Sequence, residues 1–424
     1  MTPAASSSAS DPVVIVSCDT HIGPRLAEDL RAHCPKRYLD EFDAFTAYVD
    51  GPDSPSRMVE DLIPTKGHYD IATRLDDLNQ DGTAAEVLFH GSQNGQPVPF
   101  NISDASVGGL SMARVYDTEA ELAGVGRHIY NAWLADYCST EPERHVGLAH
   151  LPMWDIDAAI EEVTWAHAHG LRGVNFPAES APGESTKSRW SGKHFYQDPV
   201  WEPFWAVCED LGMTLATHGG AGTPTDLPGG HSIWLYEAQE DSRKPIHRLI
   251  FSGVFDRHPD LKFVITEAPG NWWYTKMLDL DSATAYGAGL QMKPSDYMRR
   301  NVFLGASFQA RFEAEDALEH GYTSQCLWGT DYPHVEGTWR ISQDPDVMPV
   351  SQQAMRYTYH GFPEDVVRDI AGFNACRVYG LDADALAKVA ARINAPSFAD
   401  IDTPLDEIPA EHGMWAFRQQ AAFA

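Results

Sequence analysis

The sequence predicts an α/β chain closed as a (β/α)8 TIM barrel, with long insertions after its strands and a helical extension at its C-terminus. Three observations predict it. Eight short apolar runs recur along the chain, helical patterns separate most of them, and several of the runs end in His, Asp or Glu. In a barrel, those ends form the catalytic mouth.

The first runs are VVIVSCD (Val13 to Asp19) and AAEVLFH (Ala84 to His90). VGLAHLPM (Val146 to Met153) and GVNFP (Gly173 to Pro177) follow. TLATHGG (Thr214 to Gly220), KFVITEA (Lys262 to Ala268), VFLGASF (Val302 to Phe308) and LWGTDYP (Leu327 to Pro333) complete the eight. Continuous apolar runs of this length suit strands buried on both faces, as in a parallel sheet. Between them, Asp155 to Gly170 places apolar residues at helical spacing and ends on Gly. Asp198 to Gly212 opens with Asp-Pro, a helix start, and also ends on Gly. Ser242 to Arg257 and Phe312 to Gly321 fill the same role. An open doubly wound sheet is the alternative for such alternation. No G-x-G-x-x-G follows any strand, which weakens a dinucleotide-binding reading.

The barrel is expected over residues 12–381, with insertions at 20–80, 178–196, 220–241 and 334–350. All four follow a strand, so all four sit over the mouth, where long loops form a lid or a partner surface. Residues 1–11, MTPAASSSASD, read as a flexible tail without the basic segment or apolar core of a secretory signal. Residues 382–424 read as one further helix and a proline-interrupted tail.

The composition narrows the partners. Hydrophobic residues make up 43% of the 424, enough for a large core. The formal net charge of −30 repels phosphate backbones and anionic lipid, so neither nucleic acid nor a membrane surface is an expected partner. The six cysteines lie far apart with no C-x-x-C pair, which suits reduced core thiols in a cytoplasmic protein. A small-molecule substrate remains. Long apolar and aromatic loops suggest a homodimer or a hetero-oligomer with a related barrel subunit.

The strand ends carry the chemistry. The first ends Asp19-Thr20-His21, the second on His90, the fifth on His218, the sixth on Glu267 and the eighth on Asp331. Alternate residues of a strand share a face, so Asp19 and His21 point the same way. In a closed barrel strand eight meets strand one, which brings Asp331 to them. A single histidine after a strand is more often a satisfied structural residue; the constellation is what carries weight. Imidazole and carboxylate donors without thiolate suit one or two divalent ions of Zn, Mn or Fe. Asn175 at the end of strand four, Trp272 after Glu267 and His334 after Asp331 are candidate substrate-binding residues. His231, Trp234 and Tyr236 follow strand five and are placed to close over the pocket. His128, His145, His167, His169, His247 and His258 lie away from the mouth and receive no chemistry.

Five segments together resemble one known group. They are CDTHIGP (Cys18 to Pro24), DPVWEPFW (Asp198 to Trp205), LATHGG (Leu215 to Gly220), GVFDRHPDLKFVITEAPGNWW (Gly253 to Trp273) and LWGTDYPHVEGTW (Leu327 to Trp339). The chain resembles the amidohydrolase-related metal-dependent barrels, the group of the aminocarboxymuconate semialdehyde and γ-resorcylate-type decarboxylases, over most of residues 13–380. The resemblance implies a metal held by Asp19, His21, His218 and Asp331. It also shows two departures. Asp19 replaces the first His of the family's H-x-H-like pair. Glu267 stands near the place where the decarboxylases carry an acid/base His after strand six. The second departure points to Glu267 as an additional ligand or bridge for a second ion, with His90 nearby.

The leading expectation is hydrolysis by a metal-activated water, whose pKa a bound ion lowers from about 16 toward about 7. Asp331 or Glu267 would accept its proton, with His90 as a third candidate catalytic group. Three alternatives stand beside it: a non-hydrolytic decarboxylase, a dinuclear Mn/Fe or Fe/Fe oxygenase on the same barrel, and a structural metal-binding subunit supporting a related catalytic partner.

Overall fold

In the computed structural model, eight parallel strands run in the order β1 to β8, each hydrogen-bonded to the next. They are β1 Val16–Ile22, β2 Ala85–His90, β3 His145–Ala149, β4 Gly173–Asn175, β5 Thr214–His218, β6 Phe263–Thr266, β7 Val302–Ser307 and β8 Cys326–Gly329. The structure describes residues 11–51, 65–100, 120–178, 194–219, 228–287, 289–339, 347–408, 415 and 417–423, the side chain of His231 excepted. Much of the expected tail and parts of all four expected insertions lie outside these residues.

The last strand closes on the first just beyond β8. Thr20 bridges Tyr332 in parallel, the His21 N–H donates to the Tyr332 carbonyl at 2.6 Å, and the Asp331 N–H donates to the Asp19 carbonyl at 2.8 Å. The chain is therefore a (β/α)8 barrel. Gly329 makes the close approach possible: a Cβ there would sit 2.9 Å from the Asp19 Cβ.

The expected strands all form, with shifted ends. β1 continues past Asp19 to Ile22, because the seam with Tyr332 supplies backbone partners there. β3 begins at His145 and stops at Ala149, before Pro152, which has no N–H to give a ladder. The single helix expected over Ser242 to Arg257 is broken into Lys244–Phe251 and Val254–Arg257, with Gly253 between them at φ 72°. Pro245 sits in the first turn of the former, where its missing N–H costs nothing. Ser242 instead ends a helix, Gly230–Ser242, inside the segment expected as the 220–241 loop.

Val16, Val87, Val146, Ala216, Val264 and Leu327, from six strands, pack in one buried cluster with Tyr379, Leu386 and Val389. That cluster is the barrel interior, and the C-terminal helices Asn374–Tyr379 and Ala383–Arg392 plug its lower end. Thr214 at the start of β5 donates to the Val378 carbonyl at 2.8 Å. All six cysteines are buried and unpaired. No helix among the described residues is long and apolar enough to cross a membrane.

Candidate metal centre

At the upper end of the barrel the first strand makes an irregular step. Its pairing with β2 runs Ser17 to Glu86, then Thr20 to Leu88, so β1 carries one extra residue at Cys18-Asp19. Such bulges re-aim side chains beside active sites. Here Asp19 and His21 both turn into the mouth. The helix Ile71–Asp81 fixes this corner from behind. It is capped by Asp70, whose carboxylate accepts from the Thr73 N–H. Its Arg74, fully buried, donates to the His21 carbonyl at 2.8 Å and pairs with Glu86 at 2.7 Å.

The four residues expected to hold a metal come together. The His21 Nε2 lies 3.2 Å from an Asp19 carboxylate oxygen and 3.1 Å from one of Asp331. The His218 Nε2 lies 3.2 Å from the same Asp19 oxygen. One donor atom from each of Asp19, His21, His218 and Asp331 falls within 4.8 Å of all the others.

The donor atoms fit an ion rather than each other. Asp19 Oδ1, His21 Nε2, His218 Nε2 and both Asp331 oxygens are buried without a hydrogen-bond partner. Leaving that many buried polar atoms unsatisfied costs about 1–3 kcal/mol each. Neighbouring ligands of an ion bound at about 2.0–2.2 Å stand about 3 Å apart, close to the spacings seen. The outer contacts suit ligation as well. The His21 Nδ1 faces the His90 carbonyl at 3.4 Å, which leaves Nε2 for the ion. Ser307 donates its hydroxyl to Asp19 Oδ2.

The electrostatics follow from this crowding. Burial pushes the Asp19 carboxyl up, but His218 and His21 outweigh it and hold it well below the usual carboxylate range. Burial, with His334 beside it, pulls His21 down to about 4, so its imidazole is neutral as a ligand requires. Burial and the Asp19 charge lift Asp331 to about 7 against the pull of His334. Glu267 keeps 29% side-chain exposure, yet the surrounding walls, with Asp331 and Asp19, lift it to about 8. A bound divalent ion would reverse the local sign and lower both.

Glu267 and Asp331 share another feature. Both follow a strand end in left-handed backbone, with φ 54° and 56°. Such residues cost of order 1–3 kcal/mol and cluster where a side chain must be aimed. Glu267 points at the centre from outside the four-donor group, its Oε2 3.6 Å from His218 Nε2.

The remaining candidates scatter. His90 lines the same cavity, of about 110 Å³, but does not join the donor group. His334 is closer than its expected substrate-binding role suggests. Its Nδ1 lies 2.9 Å from Asp331 Oδ1, and its ring stacks on His21 with centroids 3.9 Å apart. Asn175 contacts His150 Nε2 at 3.0 Å rather than the cavity. Trp272 is turned away from it, under Arg243 at 4.3 Å and bonded to the Ala268 carbonyl. Trp234 lines the cavity, whereas Tyr236 lies 62% exposed beside a different surface cleft.

Sequence reasoning missed Ser307, Gln93 and Glu336. Glu336 stands two residues after His334, in a D-x-x-H-x-E spacing that was legible in principle. Ser307 and Gln93 carry no such signal.

A family model described as Amidohydrolase matches residues 26–381. The γ-resorcylate decarboxylase of Rhodococcus jostii is 31% identical over 221 residues, which cover 48% of this chain and 64% of that protein. The chain thus matches less than two thirds of that relative's length. The 5-carboxyvanillate decarboxylase of Sphingomonas paucimobilis superposes with a TM-score of 0.57 at 20% identity, over 87% of this chain and all of that one. A dihydroxybenzoic acid decarboxylase from Polaromonas, solved with manganese and 2-nitroresorcinol, gives 0.54 at 18% identity, over 88% and 98% of the two chains. At such identities these two structures share the fold.

Proposed function

The chain belongs to the amidohydrolase family, and from that premise we propose that it is a metal-dependent decarboxylase of a small aromatic acid. The support for decarboxylation over the hydrolysis first expected is that the relatives described above carry that activity in their names. The observation that carries the reading is the four-donor cluster with a partly exposed carboxyl, Glu267, beside it.

A divalent ion such as manganese, held by Asp19, His21, His218 and Asp331, supplies the positive charge that no Lys or Arg among the described cavity residues provides. The protein's own groups do the rest. Glu267, in its acid form, stands where it can give its proton to the ring carbon that bears the carboxylate. The bond to the carboxylate then breaks, its electron pair returns to the ring, and carbon dioxide leaves. Water is not consumed and no oxidant is needed. Trp234, Leu235 and Ala238 wall one side of the cavity and keep water from the carbon being protonated. Glu267 thus does with a carboxyl what the family's histidine does with an imidazole.

The test is turnover of the manganese-loaded protein on 2,6-dihydroxybenzoate and related hydroxybenzoates, with and without oxygen. The expected result is one carbon dioxide released per substrate lost, unchanged anaerobically. Hydrolysis of esters or lactones with no carbon dioxide from any such acid would contradict it.

A further inference from the structure

The cavity holds more negative charge than one ion can offset. Asp19, Asp331 and Glu267 converge on the metal centre, and Glu336 lines the same cavity. No Lys or Arg lines it among the described residues. A single divalent ion offsets two charges, fewer than the three of Asp19, Asp331 and Glu336, to which Glu267 adds a fourth when ionised. Buried carboxylates without a counter-charge are costly, and real sites pair them or bind cations.

His334 adds a directional observation. It is 6% exposed. Its Nε2 lies 2.8 Å from the Gly91 carbonyl, an acceptor only, so that nitrogen carries a hydrogen. Its Nδ1 therefore faces inward, 2.9 Å from Asp331 Oδ1 and 3.8 Å from Glu336 Oε1, with no hydrogen bond of acceptable geometry. A nitrogen between two carboxylate oxygens needs something positive among them, either a proton or a metal ion. Glu336 is itself held in place by Gln93, whose amide donates to Oε1 at 2.9 Å.

The geometry points to a second divalent-cation site, built by Asp331, His334 and Glu336 and sharing Asp331 with the first. This rests on the metal-centre reading above. Donor atoms of these three residues lie within 4.8 Å of one another. Both Asp331 oxygens lack hydrogen-bond partners, so the carboxylate has donor capacity for more than one ion. The His21 and His334 rings lie nearly parallel at 13°, with centroids 3.9 Å apart. The His21 Nε2 and the His334 Nδ1 both approach Asp331 Oδ1, at 3.1 Å and 2.9 Å, so this carboxylate is common to the two donor groups. Two divalent ions would offset Asp19, Asp331 and Glu336 and, with Glu267 in its acid form, leave one positive charge to receive an anionic substrate.

The site is tested by calorimetric titration of the full chain with manganese alone, combined with elemental analysis after desalting. The expected result is two equivalents in the wild type and one in Glu336→Gln and in His334→Gln. Glu336 is partly exposed, so its variant tests the site without risk to the core. Low-temperature electron paramagnetic resonance should show a coupled manganese pair in the wild type and an isolated ion in Glu336→Gln. One equivalent in the wild type would overturn the second site and leave the first intact. Two equivalents retained in both variants would also overturn it. No bound manganese in the wild type would overturn the underlying metal centre and this site together.

Discussion

The backbone N–H of Asp331 donates to the carbonyl of Asp19 at 2.8 Å. Two carboxylates from opposite ends of the barrel sequence are thereby joined through main chain before either meets a metal. The separation of their donor atoms is set by the barrel seam rather than by flexible side chains, which is the preorganisation a metal site needs.

Gly329 is the point where that seam is tightest. Its replacement by Ala puts a methyl 2.9 Å from the Asp19 Cβ and 3.3 Å from the Ser307 Cα, neither of which can rotate away. Gly329→Ala is expected to cost about 1–3 kcal/mol of stability and to weaken manganese binding. Urea denaturation and metal titration of the variant check this; wild-type values in both would show that the seam does not set the site.

Ser307 is the hydroxyl behind Asp19. Removing an outer partner of a metal ligand typically lowers metal affinity about 10–100-fold. Ser307→Ala should do so with the fold and thermal midpoint nearly unchanged, since the hydroxyl is small and the cavity it leaves is slight. A manganese titration gives the answer directly.

Arg74 carries the mechanical load behind His21. It is fully buried, pairs with Glu86 and sits over the Tyr332 ring at 4.6 Å. Arg74→Met leaves the buried Glu86 with His145, at 3.0 Å, as its remaining charge partner and is expected to cost about 3–5 kcal/mol in urea unfolding. Adding Glu86→Leu should recover most of that loss, because the stranded charge is then gone. A single variant as stable as the wild type would contradict this account.

Asp81 gives a pH signature remote from the metal. Burial lifts its carboxyl to about 7, although Ser351 and Thr83 donate to it. The folded value lies above the unfolded one, near 3.8. Its contribution to stability is therefore complete below about pH 4 and is lost as pH rises through about 7. Asp81→Asn should flatten the decline in thermal midpoint between those limits and be the more stable protein at pH 8. Parallel curves for the two proteins would contradict the assignment.

Much of this was readable in the sequence because parallel strands buried on both faces leave continuous apolar runs. All eight runs became strands, and Asp19, His21, His218 and Asp331 could be picked out because each ends one of them. What could not be read depends on closure. Ser307 reaches Asp19 only because β7 and β8 curl back to β1, and nothing in VFLGAS marks its hydroxyl. Trp272 follows Glu267 in sequence, but the chain turns after that residue and lays the half-buried indole beside Arg243. The helix Gly230–Ser242 begins after Gly229, in left-handed backbone and with no side-chain cap, so no N-cap residue marks its start in the sequence.

The most direct test of the central claim is an anomalous difference map from crystals grown with manganese. The account predicts a peak within about 2.0–2.3 Å of donor atoms from Asp19, His21, His218 and Asp331 together. A map with no peak there, or with manganese bound only elsewhere on the chain, would contradict it.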